Sequence, residues 1–126
     1  MRNVIQSAKY PSRAGMSWGV SCDKMVFLAG TAPIDDAGQL VGADDAEIQA
    51  RVCFASIGAL LEIAGTDMTR ITKLTCYATS KAAAFSYIRV KAELFPEAPP
   101  ACTTVIVSEL LLEGMMLEID ATAMLA

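Results

Sequence analysis

The 126-residue sequence contains no histidine. That absence removes the Cys-His pair as a nucleophilic device. It also leaves a zinc site one route, the convergence of all four cysteines. Those cysteines, Cys22, Cys53, Cys76 and Cys102, are widely spaced with no Cys-x-x-Cys pair, and they read as free thiols of a reducing cytoplasm. Charge is sparse as well: 19% of the residues are charged, 10 basic against 14 acidic, for a net charge of −4. The basic residues form no cluster and no aromatics are interleaved with them, so the electrostatic footprint of a nucleic-acid binder is missing. No run reaches the roughly 18 apolar residues of a membrane-spanning helix. Met1 to Ser7 lacks the long apolar core of a secretory signal.

What the sequence has is apolar side chains. Hydrophobic residues make up 54% of it, above the ~45–50% of ordinary soluble domains. The length fits one domain over residues 1–126. A small domain this apolar carries more hydrophobic surface than its own core can hide, and a homo-oligomer is the economical way to cover the remainder.

The pattern along the chain predicts strand-strand-strand-helix-strand-helix-strand-strand. Val4-Ile5 opens a short edge strand. Ser17 to Cys22 and Lys24 to Gly30 form two strands joined by a tight turn at Asp23, the second apolar on both parities and so expected to be covered on both faces. Pro33 to Asp45 is a polar loop. Asp44 or Asp45 caps a helix with Ile48, Val52, Ala55, Ala59 and Ile63 at helical spacing, and Gly65 stops it. Thr69 to Thr79, rich in β-branched residues, is a strand. Ser80 caps a second helix with Phe85, Ile88, Ala92 and Phe95 on one face, ended by Pro96, Pro99 and Pro100. Thr103 to Leu111 and Met115 to Ala123 complete the set, with a turn at Glu113-Gly114. Two helices cover only one face of such a sheet, yet Val105-Ile106-Val107 also looks buried on both sides, so the other face is expected to meet another subunit.

In that order, several pieces resemble the Rid family (reactive intermediate deaminase, also known as YjgF, RidA-like or endoribonuclease L-PSP). Val26-Phe27-Leu28-Ala29-Gly30-Thr31-Ala32-Pro33 is similar to the family strand ending in Ser-Gly-Gln-x-Pro. Gln49 stands at the family's helix glutamine. Ala64-Gly65 followed by Ile71-Thr72-Lys73-Leu74-Thr75 looks like its Ala-Gly turn and next strand, and Phe85 and Phe95 match the second helix. Pro100-Ala101 and Leu117-Glu118-Ile119-Asp120-Ala121 match the closing block. The resemblance runs from about Ser17 to Ala123. It implies an α+β, chorismate-mutase-like fold: a mixed β-sheet with two helices on one face, three such sheets forming the central barrel of a homotrimer. It further implies small-molecule clefts between subunits where, in the best-known branch, 2-imino or 2-enamino acids are hydrolysed to 2-oxo acids and ammonia. In that branch an arginine holds the substrate carboxylate and a glutamate positions water, without metal or organic cofactor. From the composition, neither nucleic acid nor membrane is expected as a partner, and the free thiols fit a cytoplasmic location.

The chain departs from that pattern at the arginine. The position after Pro100-Ala101 is Cys102, and a thiol cannot reproduce the planar, permanently charged contact of a guanidinium with a carboxylate. With the rest of the site unchanged, binding of a 2-imino carboxylate loses a contact worth ~1.5–3 kcal/mol, or about 10- to 150-fold in affinity. Ala29 replaces a serine, Thr104 replaces a cysteine, and the family's N-terminal tyrosine has no clear counterpart, Met16 lying closest. Arg89, where the family often has asparagine, is a candidate replacement cation, against the simpler reading of a solvated helix residue whose stem lies on apolar surface.

Glu118 alternates with Leu117 and Ile119. It is either solvated or, placed in the cleft near Met115 and Met116, a carboxylate of raised pKa able to act as base or proton donor. Asp120 shares its parity and is its nearest rival. Cys102 acting as nucleophile would need activation by Arg89 or a lysine; otherwise it lines a pocket or interface. The expected site is therefore Glu118 as the catalytic residue, with Gly30, Ala29, Arg89, Cys102 and Thr104 around the ligand and no metal. The expected function is hydrolysis of an imine, enamine or related small substrate, with a specificity unlike that of the 2-imino acid deaminases. The alternative is a non-catalytic homotrimer that binds a small metabolite. Endoribonuclease activity ranks last, since there is neither histidine nor a basic patch.

Overall fold

A computed structural model describes residues 1–10 and 13–126. The strands are β1 (Arg2–Ile5), β2 (Gly19–Cys22), β3 (Met25–Leu28), β4 (Ile71–Ala78), β5 (Ala101–Ile106) and β6 (Leu117–Met124); the helices are α1 (Ala46–Ala64) and α2 (Lys81–Leu94). They form one mixed sheet in the order β1-β2-β3-β6-β4-β5. All neighbours are antiparallel except β4 and β5, which run parallel through the α2 crossover.

Local signals act where the sequence places them. Asp23, at φ 53°, makes the tight β2–β3 turn. The Asp45 carboxylate caps α1 by accepting from the Ile48 N–H at 3.1 Å, and Gly65, at φ 89°, ends it in the left-handed conformation that suits glycine. Ser80 caps α2 by accepting from the Ala83 N–H.

Two helix faces differ from expectation. On α1 the core stripe is Gln49, Ala50, Cys53, Phe54, Ile57, Leu60 and Leu61, while Ile48 and Ile63 of the expected stripe are 42% and 51% exposed. On α2 the buried residues are Ala83, Ala84, Tyr87 and Val90, and Phe85 is 58% exposed. Both helices are apolar on more than one face, so spacing alone does not choose between stripes. Packing does: the small residues of α2 let it approach the core, where Phe54 stacks on Tyr87 at 5.8 Å and meets the edge of Phe95 at 5.9 Å.

The last two strands are also shorter than the sequence predicts. β5 stops at Ile106 because the strand beside it, β4, ends at Ala78; the final bond of that ladder is Val107 N–H to Ala78 C=O at 2.8 Å. The chain then crosses in a loop, so β6 enters between β3 and β4 rather than pairing with β5.

Alternation in the central strands separates the two faces of the sheet. Leu117, Ile119, Ala121 and Ala123 of β6, with Leu74, Cys76 and Ala78 of β4, lie buried beneath the helices. Glu118, Asp120 and Thr122 point the other way. On that open face Phe27 is 49% exposed and Val105 38%. The expectation that β3 and β5 are covered on both sides is therefore not met within one chain, because both helices pack on the same face. No described helix is long and apolar enough to cross a membrane.

Candidate functional site

Glu118 is placed by β6, and its surroundings are created by the segment that follows β3. That segment continues beside β6, with Thr31 N–H donating to Ile119 C=O at 2.7 Å and Ile119 N–H to Thr31 C=O at 3.2 Å. Gly30 is thereby held against the Glu118 side chain, where an added Cβ would lie 2.6 Å from Oε1 and 2.9 Å from Cδ. Glycine is required here by close approach, not by backbone conformation. The carboxyl group borders a cavity of about 250 Å³. Its walls are apolar, from Met16, Trp18, Ile34, Leu112 and Met115, and Arg13 is its other charged lining residue. Burial, and secondarily the charge of Asp120, hold the Glu118 carboxyl above the usual carboxylate range. Asp120 itself accepts a hydrogen bond from the Tyr77 hydroxyl at 3.1 Å, which leaves Glu118 as the carboxyl lining the cavity.

The cavity wall is fixed from behind by Gln49, which is fully buried. Its side-chain amide donates to Gly42 C=O and Gly114 C=O, each at 3.0 Å, and its Oε1 accepts from Met116 N–H at 2.7 Å. One side chain thus pins the loop before α1 and the segment carrying Met115.

Gly30→Ala follows directly as a test of this packing. The clashing atoms belong to the far end of a flexible side chain, so the fold survives while the carboxyl group is pushed out of place. Any turnover that depends on Glu118 is expected to fall at least 10-fold with little change in melting temperature. Unchanged turnover would show that this position of Glu118 is not required.

The structure brings Gly30 and Glu118 together, with Ala29 adjoining them in the chain, its N–H bonded to Trp18 C=O at 2.9 Å. Cys102 and Thr104 lie elsewhere, on the helix side of β5. There the Cys102 sulfur is 2.9 Å from the Tyr87 hydroxyl and 3.7 Å from the Thr104 hydroxyl, and the Lys91 ammonium sits 5.4 Å from the centre of the Tyr87 ring. Burial pushes the Cys102 thiol up, but hydrogen bonds from Tyr87 and Thr104 together with the nearby Lys91 charge outweigh it and hold the thiol below its usual range. Buried Cys76 is instead pushed up to about 12, chiefly by desolvation. Tyr87→Phe is expected to move the pH profile of Cys102 alkylation by iodoacetamide upward, followed by peptide mass spectrometry; an unmoved profile would rule out the Tyr87 contribution. Arg89 donates to Ser86 Oγ at 3.1 Å and lines a shallow groove with Asp44 and Glu47. Within one chain it meets neither Glu118 nor Cys102.

Sequence reasoning missed Arg13. Its place at the cavity is set by the bridge between Arg13 and Met16 and by the Trp18 ring, which no motif or periodicity in the sequence signals.

The fold is that of solved Rid proteins: the Rid-family protein YyfA of Yersinia pestis superimposes with a TM-score of 0.90 at 30% identity, over 99% of this chain and 100% of that one. The family model described as endoribonuclease L-PSP matches residues 7–125, and the chain belongs to this family, the Rid family. It is similar to Protein DfrA of Myxococcus xanthus, 34% identical over 97% of this chain and 95% of that protein. It is also similar to the 2-iminobutanoate/2-iminopropanoate deaminase of Bos taurus, 36% identical over 60% of this chain and 56% of that enzyme.

Proposed function

We propose that the protein hydrolyses a small imine or enamine at Glu118, in clefts between the subunits of a homotrimer, with a specificity unlike that of the 2-imino acid deaminases. The single observation carrying this reading is a half-buried carboxyl of raised pKa, held against Gly30 at the edge of an apolar cavity. Such a group can take a proton from water as the hydroxyl adds to the imine carbon, while the imine nitrogen is protonated from solvent. The tetrahedral intermediate then collapses: Glu118 returns its proton to the nitrogen, the C–N bond breaks with its electron pair on nitrogen, and the hydroxyl proton passes to solvent, leaving a carbonyl compound and ammonia or an amine. The similarity to the bovine deaminase supports the same chemistry.

Oligomerisation is supported by the uncovered sheet face with Phe27 and Val105. It is supported too by the placement of Cys102 and Glu118 on opposite faces of one sheet, since only residues of different subunits can bring those two positions to a common ligand. Cys102 at the arginine position and the apolar walls favour a second reading, a trimer that binds a small metabolite without turning it over.

The test is imine hydrolysis by the purified protein. A 2-imino acid and a neutral imine are each generated in situ in competition with semicarbazide, for wild type, Glu118→Gln and Cys102→Arg. Wild-type acceleration lost in Glu118→Gln supports the enzyme. Ligand-induced stabilisation without acceleration in any of the three supports the binding protein. Acceleration unaffected by Glu118→Gln removes Glu118 from the reaction.

A further inference from the structure

We infer that the Glu118 cavity takes imines derived from primary amines: molecules with a branched aliphatic body and no carboxylate on the reacting carbon. The inference rests on the reading of that cavity as the hydrolytic site and names its substrate class. The walls set the body. Met16, Ile34, Leu112 and Met115 present aliphatic or thioether side chains around about 250 Å³, below the ~300–1,000 Å³ of sites for drug-sized ligands. Leu111 lines the same cavity although it is 97% exposed. It stands at the rim as apolar surface that the fold itself leaves in water, and an aliphatic body seated beneath it covers that surface.

The charges set what the body lacks. A 2-imino acid carries its carboxylate on the carbon that water attacks, so placing that carbon at Glu118 brings two carboxylates together. Like charges repel there, and a carboxylate moved from water into apolar surroundings needs a cation to offset its lost hydration. The structure supplies none at that place. Burial and Asp120 both push the Glu118 carboxyl upward, and among the described residues no cation offsets them. Arg13 lays its guanidinium over the Trp18 ring, 6.0 Å from the centre, and its Nη2 lies 4.0 Å from the point that a Cβ on Gly38 would occupy. Its head thus rests on the ring and reaches the loop around Gly38, and among the described residues it forms no ion pair with Glu118. Across the proposed subunit boundary, the position matched to the family arginine is Cys102. The cation beside it, Lys91, is taken up by the Tyr87 ring and the thiol. Hydrolysis of R–CH=NH needs only water. Oxygen bonds to carbon, the C–N bond breaks with its electron pair on nitrogen, and an aldehyde and ammonia leave with nothing oxidised or reduced.

The experiment compares two imines of the same body. 3-Methylbutan-1-imine is generated from 3-methylbutylamine by a flavin amine oxidase, and 2-imino-4-methylpentanoate from leucine by an amino acid oxidase, each with catalase and with semicarbazide in competition. The full-length wild type is expected to hydrolyse the first with a kcat/KM roughly 10-fold or more above the second. Leu111→Ser, at an exposed position that folding does not depend on, is expected to lower kcat/KM for 3-methylbutan-1-imine roughly 10-fold. The loss should be smaller for the shorter imine of propylamine. Equal rates, or a preference for the 2-imino acid, overturn the inference, and so does a Leu111→Ser loss of the same size for both amine-derived imines. Binding separates this inference from the hydrolytic reading. 4-Methylpentan-2-one and 4-methyl-2-oxopentanoate, stable carbonyl analogues that differ by a methyl in place of the carboxylate, are titrated calorimetrically into the wild type. Tighter binding of the ketone without turnover of either imine keeps the ligand class and removes the hydrolysis. Turnover together with tighter binding of the oxo acid keeps the hydrolysis and overturns the class, and binding of neither without turnover overturns both.

Discussion

Glu118→Gln is expected to lower turnover by about 10²- to 10⁴-fold, the range for removal of a positioned proton-transfer group. Glutamine keeps the shape and fills the space beside Gly30 but cannot take a proton from water. The same substitution has a second, independent readout. Burial and Asp120 raise the Glu118 pKa in the folded state, so the folded protein binds more protons than the unfolded chain between the usual carboxylate value and the raised one. Stability associated with this group is fully present below the unfolded pKa and is lost as pH rises through the folded pKa. Glutamine has no charge to desolvate, so the variant should equal or exceed the wild type in melting temperature above that interval, and the wild-type decline across it should disappear. A variant that loses both activity and melting temperature would instead report structural damage.

Gln49→Leu is expected to cost about 2–5 kcal/mol of folding free energy, a fall of order 10–20 °C in melting temperature for a domain this small. The size of the effect comes from what is stranded. Leucine fits the volume, but Gly42 C=O, Gly114 C=O and Met116 N–H lose their partner together, in a place that water reaches poorly. Gln49→Glu restores the acceptor for Met116 and loses both donors, so it should also be destabilising. A loss under ~1 kcal/mol in Gln49→Leu, measured by chemical denaturation, would mean that these loops find other partners. Because the Gln49 network anchors residues 114–116, weaker ligand binding at the Met115 wall is expected alongside the stability loss.

The element order was legible because its punctuation is local: Asp45, Gly65 and Ser80 act within one turn of where they stand, and β-branched runs make strands wherever a neighbour is available. Which helix stripe faces the core was not legible, since Ile48 and Ile63 are as apolar as Phe54 and Leu61, and only the sheet and the second helix decide between them. The partner of β6 was equally hidden. A turn at Gly114 is compatible with a hairpin to β5, and the insertion between β3 and β4 is a property of the whole sheet.

Gly30 and Glu118 were brought together by resemblance to a family motif, and the structure places them in contact. Arg13 escaped because its link to the cavity runs through Trp18 and a bridge between residues 13 and 16, an arrangement that neither spacing nor periodicity encodes. Within one chain, alternation along β4, β5 and β6 sends Cys102 and Thr104 to the face opposite Glu118, so grouping them at one ligand relies on a neighbouring subunit that local pattern does not describe.

The central position of β6 has a consequence for the order in which the molecule is made. β3 and β4 emerge from the ribosome well before the strand that belongs between them, and neither has the other as a neighbour in the finished sheet. The sheet therefore cannot close until residues 117–124 are available, and its pairing is dominated by long-range contacts that slow folding. The carboxyl group at 118 arrives with that closing strand, so the cavity and the fold are completed in a single step. A chain interrupted upstream of Leu117 carries no weakened form of the site; it leaves two strands without the neighbour they share.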